Sequence, residues 1–320
     1  MEQILGHTRK RRLEEYVPHK RKRISNEALL AYLFVGLPII GYIFFHIFPL
    51  ALSFIMQFCE MDMYDLKTLQ WNNFANFKQV YTDPNFWLSI GVSFIVSTNQ
   101  FISLLIALII GLLMNKKPWG RKVFQVIYFI PYICSSVAVS LMWKRMFNED
   151  YGVINTLITN IFGEGNAIKW YNSKAAYPWM LIIASAWGAP GYGIVMYKAA
   201  LNAVNPTLYE AADVDGANAF KKLFHITLPA IAPTTFFLLM AGIINGLQTF
   251  DLAYQFGGGG NWQRMFGPGN IGLTTVVYIY QWGTEYQNMP VAAVMSWALF
   301  VVIFTATLIN FILRKKWVDE

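Results

Sequence analysis

Glu210 and Asp213, three residues apart, would present two carboxylates on one face of a short helix, a geometry suited to ion pairing. They lie in EAADVDGANAFKKLFHITLP, Glu210 to Pro229, a polar stretch between two long apolar runs. Asn205 and Pro206 supply the helix start, since Asn caps free N–H groups and Pro is tolerated at the first helical position. Gly216 permits a left-handed turn or the close approach of another backbone. Phe220, Leu223 and Phe224 then mark the apolar stripe of a second short helix, which Pro229 should keep from extending into the next run. An amphipathic loop resting on lipid is the competing explanation. Such loops favour Lys and Arg on the polar face, whereas the first helix displays Glu210, Asp213 and Asp215, so a protein partner offering basic groups fits better.

A second group of residues falls inside the apolar runs. WGAPGYG, Trp187 to Gly193, places three glycines and a proline about halfway along one of them. An interrupted helix in hydrocarbon needs neighbours or a water-filled cavity to satisfy its backbone, as in the broken helices of transporters. A kink that lets helices pack closely explains the same residues equally well. Asn245 and Gln248, three apart and hence on one helical face, add uncharged amides able to bond sugar hydroxyls, with Asp251 close to the end of that run. Asn99 and Gln100 are read as interhelical hydrogen-bonding residues.

Other chemistries lack support. No G-x-x-x-x-G-K-[ST] loop is present to hold nucleotide phosphates. GPGNIG, Gly267 to Gly272, fits G-x-G-x-x-G without the strand and helix that fingerprint needs, and reads as fortuitous. His7, His19, His46 and His225 share no ligand spacing, and Cys59 and Cys134 suggest neither a disulfide framework nor a thiolate site. No metal, cofactor or enzymatic centre is expected on this chain. The formal charge of +7 does not indicate nucleic acid, because no basic patch interleaves with exposed aromatics.

The elements that must position these residues follow from composition. Of 320 residues, 56% are hydrophobic and 13% charged, outside the range of ordinary soluble domains. Apolar runs long enough for about 20 residues of spanning helix occur near 28–58, 87–114, 123–146, 178–201, 230–250 and 289–313. The expected fold is all-α: a polytopic membrane protein of six transmembrane helices, residues 28–320, behind a basic tail at 1–27, with the polar segment at about 205–229. The first run is roughly twice as long as the 7 to 15 residues of a signal-peptide core and reads as a retained helix. Lys and Arg mark the cytoplasmic side, and 18 of the 25 fall on the leader, the turn after the second run, the polar segment's side and the C-terminus. Both termini and the polar segment are therefore expected inside, with outward loops near 59–86, 147–177 and 251–288.

The polar segment resembles the signature loop of the membrane subunits of ATP-binding-cassette (ABC) importers. That loop runs E-A-A, three residues, Gly, nine residues, Ile, one residue, Leu-Pro; here it is Glu210-Ala211-Ala212, Gly216, Ile226 and Leu228-Pro229, matched throughout. NFKQVYTDPNFW (Asn76 to Trp87), YFIPYICSSVAVSLMWKRMFNEDYGVIN (Tyr128 to Asn155) and FDLAYQFGGGG (Phe250 to Gly260) are similar to one branch, the maltose-type permeases for oligosaccharides. The likeness covers roughly residues 29 to 315. It departs where Asn73 replaces a usual Gly, where no Pro follows the glycine cluster, and where WQRMFGPGNIG enlarges the last outward loop.

The resemblance implies a permease subunit of the bacterial cytoplasmic membrane, paired with a second homologous permease. Two ATPase subunits would carry ATP and Mg, and an extracytoplasmic solute-binding protein would deliver the sugar. In such an importer the first helix of the loop docks in a cleft of the ATPase. Glu210 would engage it, Ala211 and Ala212 would keep the helix thin, and Gly216 would be the point of close approach. Matching residue types imply a sugar site at Tyr192, Asn245 and Gln248, with Trp187 a further candidate. A polyol or glycerol-phosphate importer is the alternative within the class, and a secondary transporter acting alone the alternative outside it.

Overall fold

The computed structural model describes residues 26–62, 64–115, 120–257 and 266–314. The basic leader, Lys116, Lys117, Gly258 to Gly260, Lys315 and Lys316 lie outside the described residues. The chain divides into two compact units, Met1–Ser53 and Phe54–Glu320.

In the first unit, α1 (Asn26–Tyr42) passes through a π-helical turn, Ile43–Ile47, into α2 (Phe48–Met56). Pro49 gives the turn a cause: it offers no N–H, and the wider register carries the preceding carbonyl clear of its ring. Leu30–Met56 is thereby one apolar helix of 27 residues, long enough to cross a bilayer.

The second unit opens with a short antiparallel ladder of β1 (Cys59–Glu60) and β2 (Gln70–Trp71), a small exception to the expected all-helical fold. Asn73 has φ 50°, a left-handed conformation that Asn tolerates better than most residues, which accounts for its standing in for glycine. The helices that follow are α3 (Ala75–Thr82), α4 (Pro84–Ser97), α5 (Asn99–Asn115), α6 (Arg121–Ile133), α7 (Ser136–Met146) and α8 (Val153–Phe162). Then come α9 (Ala176–Gly188), α10 (Pro190–Ala203), α11 (Pro206–Val214), α12 (Ala219–Lys222), α13 (Leu228–Leu247), α14 (Asp251–Phe256), α15 (Thr275–Tyr280) and α16 (Met289–Leu313).

Among the described residues, four helical runs are long and apolar enough to span, and six if each bent pair counts as one span. The run near 123–146 turns by 94° between α6 and α7, because Cys134 and Ser135 both take extended backbone behind Pro131. The α9–α10 pair bends by 42° at Ala189, where Pro190 withholds an N–H. Pro229, in contrast, does not stop its helix. A second π turn, Leu223–Thr227, carries α12 directly into α13, so the helix is unbroken from Ala219 to Leu247 within a candidate span, Ala219–Phe256, of 38 residues. The expectation of a break there fails because π register accommodates a proline that α register would not.

Two apolar clusters hold the second unit together. Phe86, Phe147, Tyr177, Met180 and Met295 belong to the larger, where α4, α9 and α16 meet the loop helices. Ala107, Ile194, Tyr197, Ile231 and Leu238 form the smaller, between α5, α10 and α13.

Candidate functional site: a groove beside a signature loop

The signature loop is built by its own caps. The Asn205 side chain accepts from the Thr207 N–H at 3.1 Å, and Pro206 opens α11. Gly216 closes the helix at φ 69°: the Ala217 N–H reaches the Ala212 carbonyl at 2.8 Å and the Gly216 N–H reaches Asp213 at 3.1 Å. This pair of bonds is a Schellman end, which requires a left-handed residue. Nothing lies within 4 Å of where a Gly216 Cβ would stand, so within the chain the glycine serves backbone geometry. Asn218 caps α12 through the Lys221 N–H at 2.9 Å. Glu210 is exposed beside Ala211, and Leu208, Val214, Phe220 and Phe224 add exposed apolar surface on the same two helices.

A groove of about 640 Å³ runs between α5, α6, α10 and α13, and both Tyr192 and Asn245 line it. Gly193 lets α10 approach α5, since a Cβ there would stand 2.8 Å from the Ala107 Cβ. Gly191 does the same against α6, 2.7 Å from the Tyr132 Cβ. Gly191 and Gly193 are therefore packing residues, and the tyrosine between them lines the groove.

Gln100, Ser103 and Tyr132 also line the groove, although sequence reasoning set Gln100 aside and missed the other two. Ser103 is 4% exposed and its hydroxyl finds no partner among the described residues. The spacing of Gln100 and Ser103, three apart in an apolar helix, was a usable signal. Asn99 does not bond across helices; it donates to the Val96 carbonyl at 2.8 Å.

Gln248 and Asn245 do not share one face. The helix tightens at its end, with the Gln248 N–H on the Asn245 carbonyl at 3.2 Å, so Gln248 turns away from the groove. It lines an adjoining pocket of about 360 Å³ with Asp251, Ser136, Ser185 and Cys134. Tyr132 and Ala189 border both spaces. Trp187 lines neither, and meets Trp143 edge-on at 6.0 Å.

The loops beyond are pinned by side chains. Asn155 donates to the Glu149 and Ile168 carbonyls at 3.0 and 2.9 Å and accepts from the Trp170 indole at 2.9 Å. The Tyr171 hydroxyl donates to the Lys144 carbonyl at 3.1 Å, and burial, with the Glu149 carboxylate adding to it, raises that phenol's pKa. The glycines of GPGNIG wrap Tyr177: a Cβ at Gly272 would fall 2.0 Å from its ring, and one at Gly267 would fall 2.5 Å from it.

Comparison with known proteins sets this geometry in a family context. The model of the family described as binding-protein-dependent transport system inner membrane component matches residues 103–318. The chain is 32% identical over 302 residues to the probable ABC transporter permease protein YesP of Bacillus subtilis, covering 93% of this chain and 94% of that one. It is 29% identical over 293 residues to the arabinooligosaccharides transport system permease protein AraP of the same species, covering 90% of each. Among solved structures, a bacterial ABC transporter involved in the import of the acidic polysaccharide alginate matches with a TM-score of 0.75 at 22% identity, over 91% of this chain and 96% of that one. That likeness establishes the fold.

Proposed function

Because this chain belongs to the binding-protein-dependent transport system inner membrane components, permeases that leave ATP hydrolysis to a separate subunit, we propose that it forms part of the path for an uncharged oligosaccharide. The carrying observation is the groove lining: Gln100, Ser103, Tyr132, Tyr192 and Asn245 offer amides, hydroxyls and aromatic faces without a charged side chain. Amides and hydroxyls replace the water around sugar hydroxyls, and tyrosine rings cover the apolar faces of pyranoses. An anion such as glycerol phosphate would lose its hydration without a compensating cation and would meet Asp251 next door. The similarity to an arabinooligosaccharide permease supports the same solute class.

Glu210, Ala211, Ala212 and Gly216 serve as the docking surface for an ATPase subunit, on the cytoplasmic side with both termini. A second permease completes the path, and an extracytoplasmic binding protein supplies the solute. Gln248 acts in the adjoining pocket, and Trp187 takes no part in the groove. Vesicles holding the chain with its cognate permease, ATPases and binding protein should take up labelled neutral oligosaccharides with ATP and exclude glycerol 3-phosphate. Ion-driven uptake by the chain alone would overturn the assignment.

A further inference from the structure

Tyr209 and Asp213, four residues apart on α11, turn one face of that helix onto the chain that follows it. Asp213 pairs with Lys222, the last residue of α12, whose side chain is 21% exposed against 66% for the carboxylate. The Tyr209 and Thr227 hydroxyls share a hydrogen bond at 2.9 Å, and Thr227 donates to the Lys222 carbonyl at 3.2 Å. Thr227 is buried at the end of the π turn, five residues after Lys222. These contacts close a ring through α11, α12 and the π turn. An exposed ion pair alone contributes little, so the partly buried hydroxyl pair carries much of the restraint.

Because α12 runs unbroken through the π turn into α13, the ring fastens α11 to a membrane helix and not to a slack loop. Glu210 stays off the ring, exposed, with no hydrogen bond or ion pair among the described residues. One face of α11 is thus committed to its own chain, and the neighbouring face is left for a partner. A surface needed only for docking gains nothing from such bracing; a helix whose displacement must reach the bilayer does.

We propose that Tyr209, Asp213, Lys222 and Thr227 are positioning residues that make α11 and α13 move as one body, transmitting ATPase movement into the membrane. The proposal rests on reading α11 as the ATPase docking helix. Nitroxide labels at Val214→Cys on α11 and Thr234→Cys on α13, in a chain with Cys59→Ser and Cys134→Ser, report the distance across the ring in the complex with the cognate ATPases. One narrow distance distribution is expected, unchanged between the nucleotide-free and ATP–vanadate states. Tyr209→Phe combined with Asp213→Asn should broaden it and make it differ between the two states, as should Thr227→Val. Thr227→Ser, which keeps the hydroxyl, should retain the narrow distribution.

A distance that changes with ATP–vanadate in the otherwise native chain, or variants that stay narrow, would overturn the brace. Glu210→Cys tests the underlying reading by cross-linking to the ATPase. No cross-link removes docking and brace together, whereas a cross-link with narrow variants removes the brace alone.

Discussion

The rings of Tyr132 and Tyr192 stack with centroids 5.8 Å apart and planes inclined by 26°, joining the end of α6 to the start of α10 at the wall of the groove. Such a pair is worth about 0.5–1.5 kcal/mol beyond its buried area. Tyr192→Ala should therefore loosen that wall of the groove by about as much and weaken apparent solute affinity, and Tyr192→Phe should cost less because stacking survives. The concentration dependence of oligosaccharide uptake measures both.

Glu210 is exposed and unpaired among the described residues, so Glu210→Lys should change stability by no more than about 0.5 kcal/mol. The variant should insert normally and yet fail to retain the ATPase subunits on purification. Retention with normal uptake would remove Glu210 from the docking surface.

Gly216 holds φ 69°, where a side chain costs about 1–2 kcal/mol. Gly216→Val should loosen the end of α11, seen as faster hydrogen exchange at the Ala217 amide, which the Ala212 carbonyl now protects. Gly216→Asn should do so less.

Gly246 presses α13 onto α4: a Cβ there would stand 2.8 Å from the Ser97 Cβ and 3.0 Å from its Cα. Backbone cannot yield as a side-chain tip can, so Gly246→Ala should destabilise by about 1–3 kcal/mol. Gly91→Ala is the control, since nothing lies within 4 Å of that position. Thermal unfolding in detergent should separate the two.

Asn155 satisfies two carbonyls, an indole and the Ile168 N–H at once, and Asn155→Leu would strand all four. At about 1–3 kcal/mol for each buried group left unsatisfied, the loop carrying Trp170 should open to added protease while the spans stay intact.

The signature loop was readable because its determinants are local. Asn205, Pro206, Gly216 and Asn218 act within a few residues of themselves, so caps and turn follow from sequence alone. The groove was readable in part: Tyr192 and Asn245 line it, but Gln100 and Tyr132 join them only because α5 and α6 meet α10 and α13, a contact between distant segments. Gln248 was misplaced by assuming that α13 kept ideal periodicity to its last turn. Pro229 misled for a similar reason, since a rule for proline in α register says nothing of a π turn placed ahead of it.

The unbroken helix from Ala219 to Leu247 holds 29 residues, about 43 Å at the helical rise. Hydrocarbon is only about 30 Å thick, so this rod overhangs the bilayer and can act as a lever with its fulcrum in the lipid. A tilt of about 10° swings each tip by about 4 Å in opposite senses, given that length. Asn245 rides one arm and the Lys222 ring the other, so widening at one surface and narrowing at the other become a single stroke.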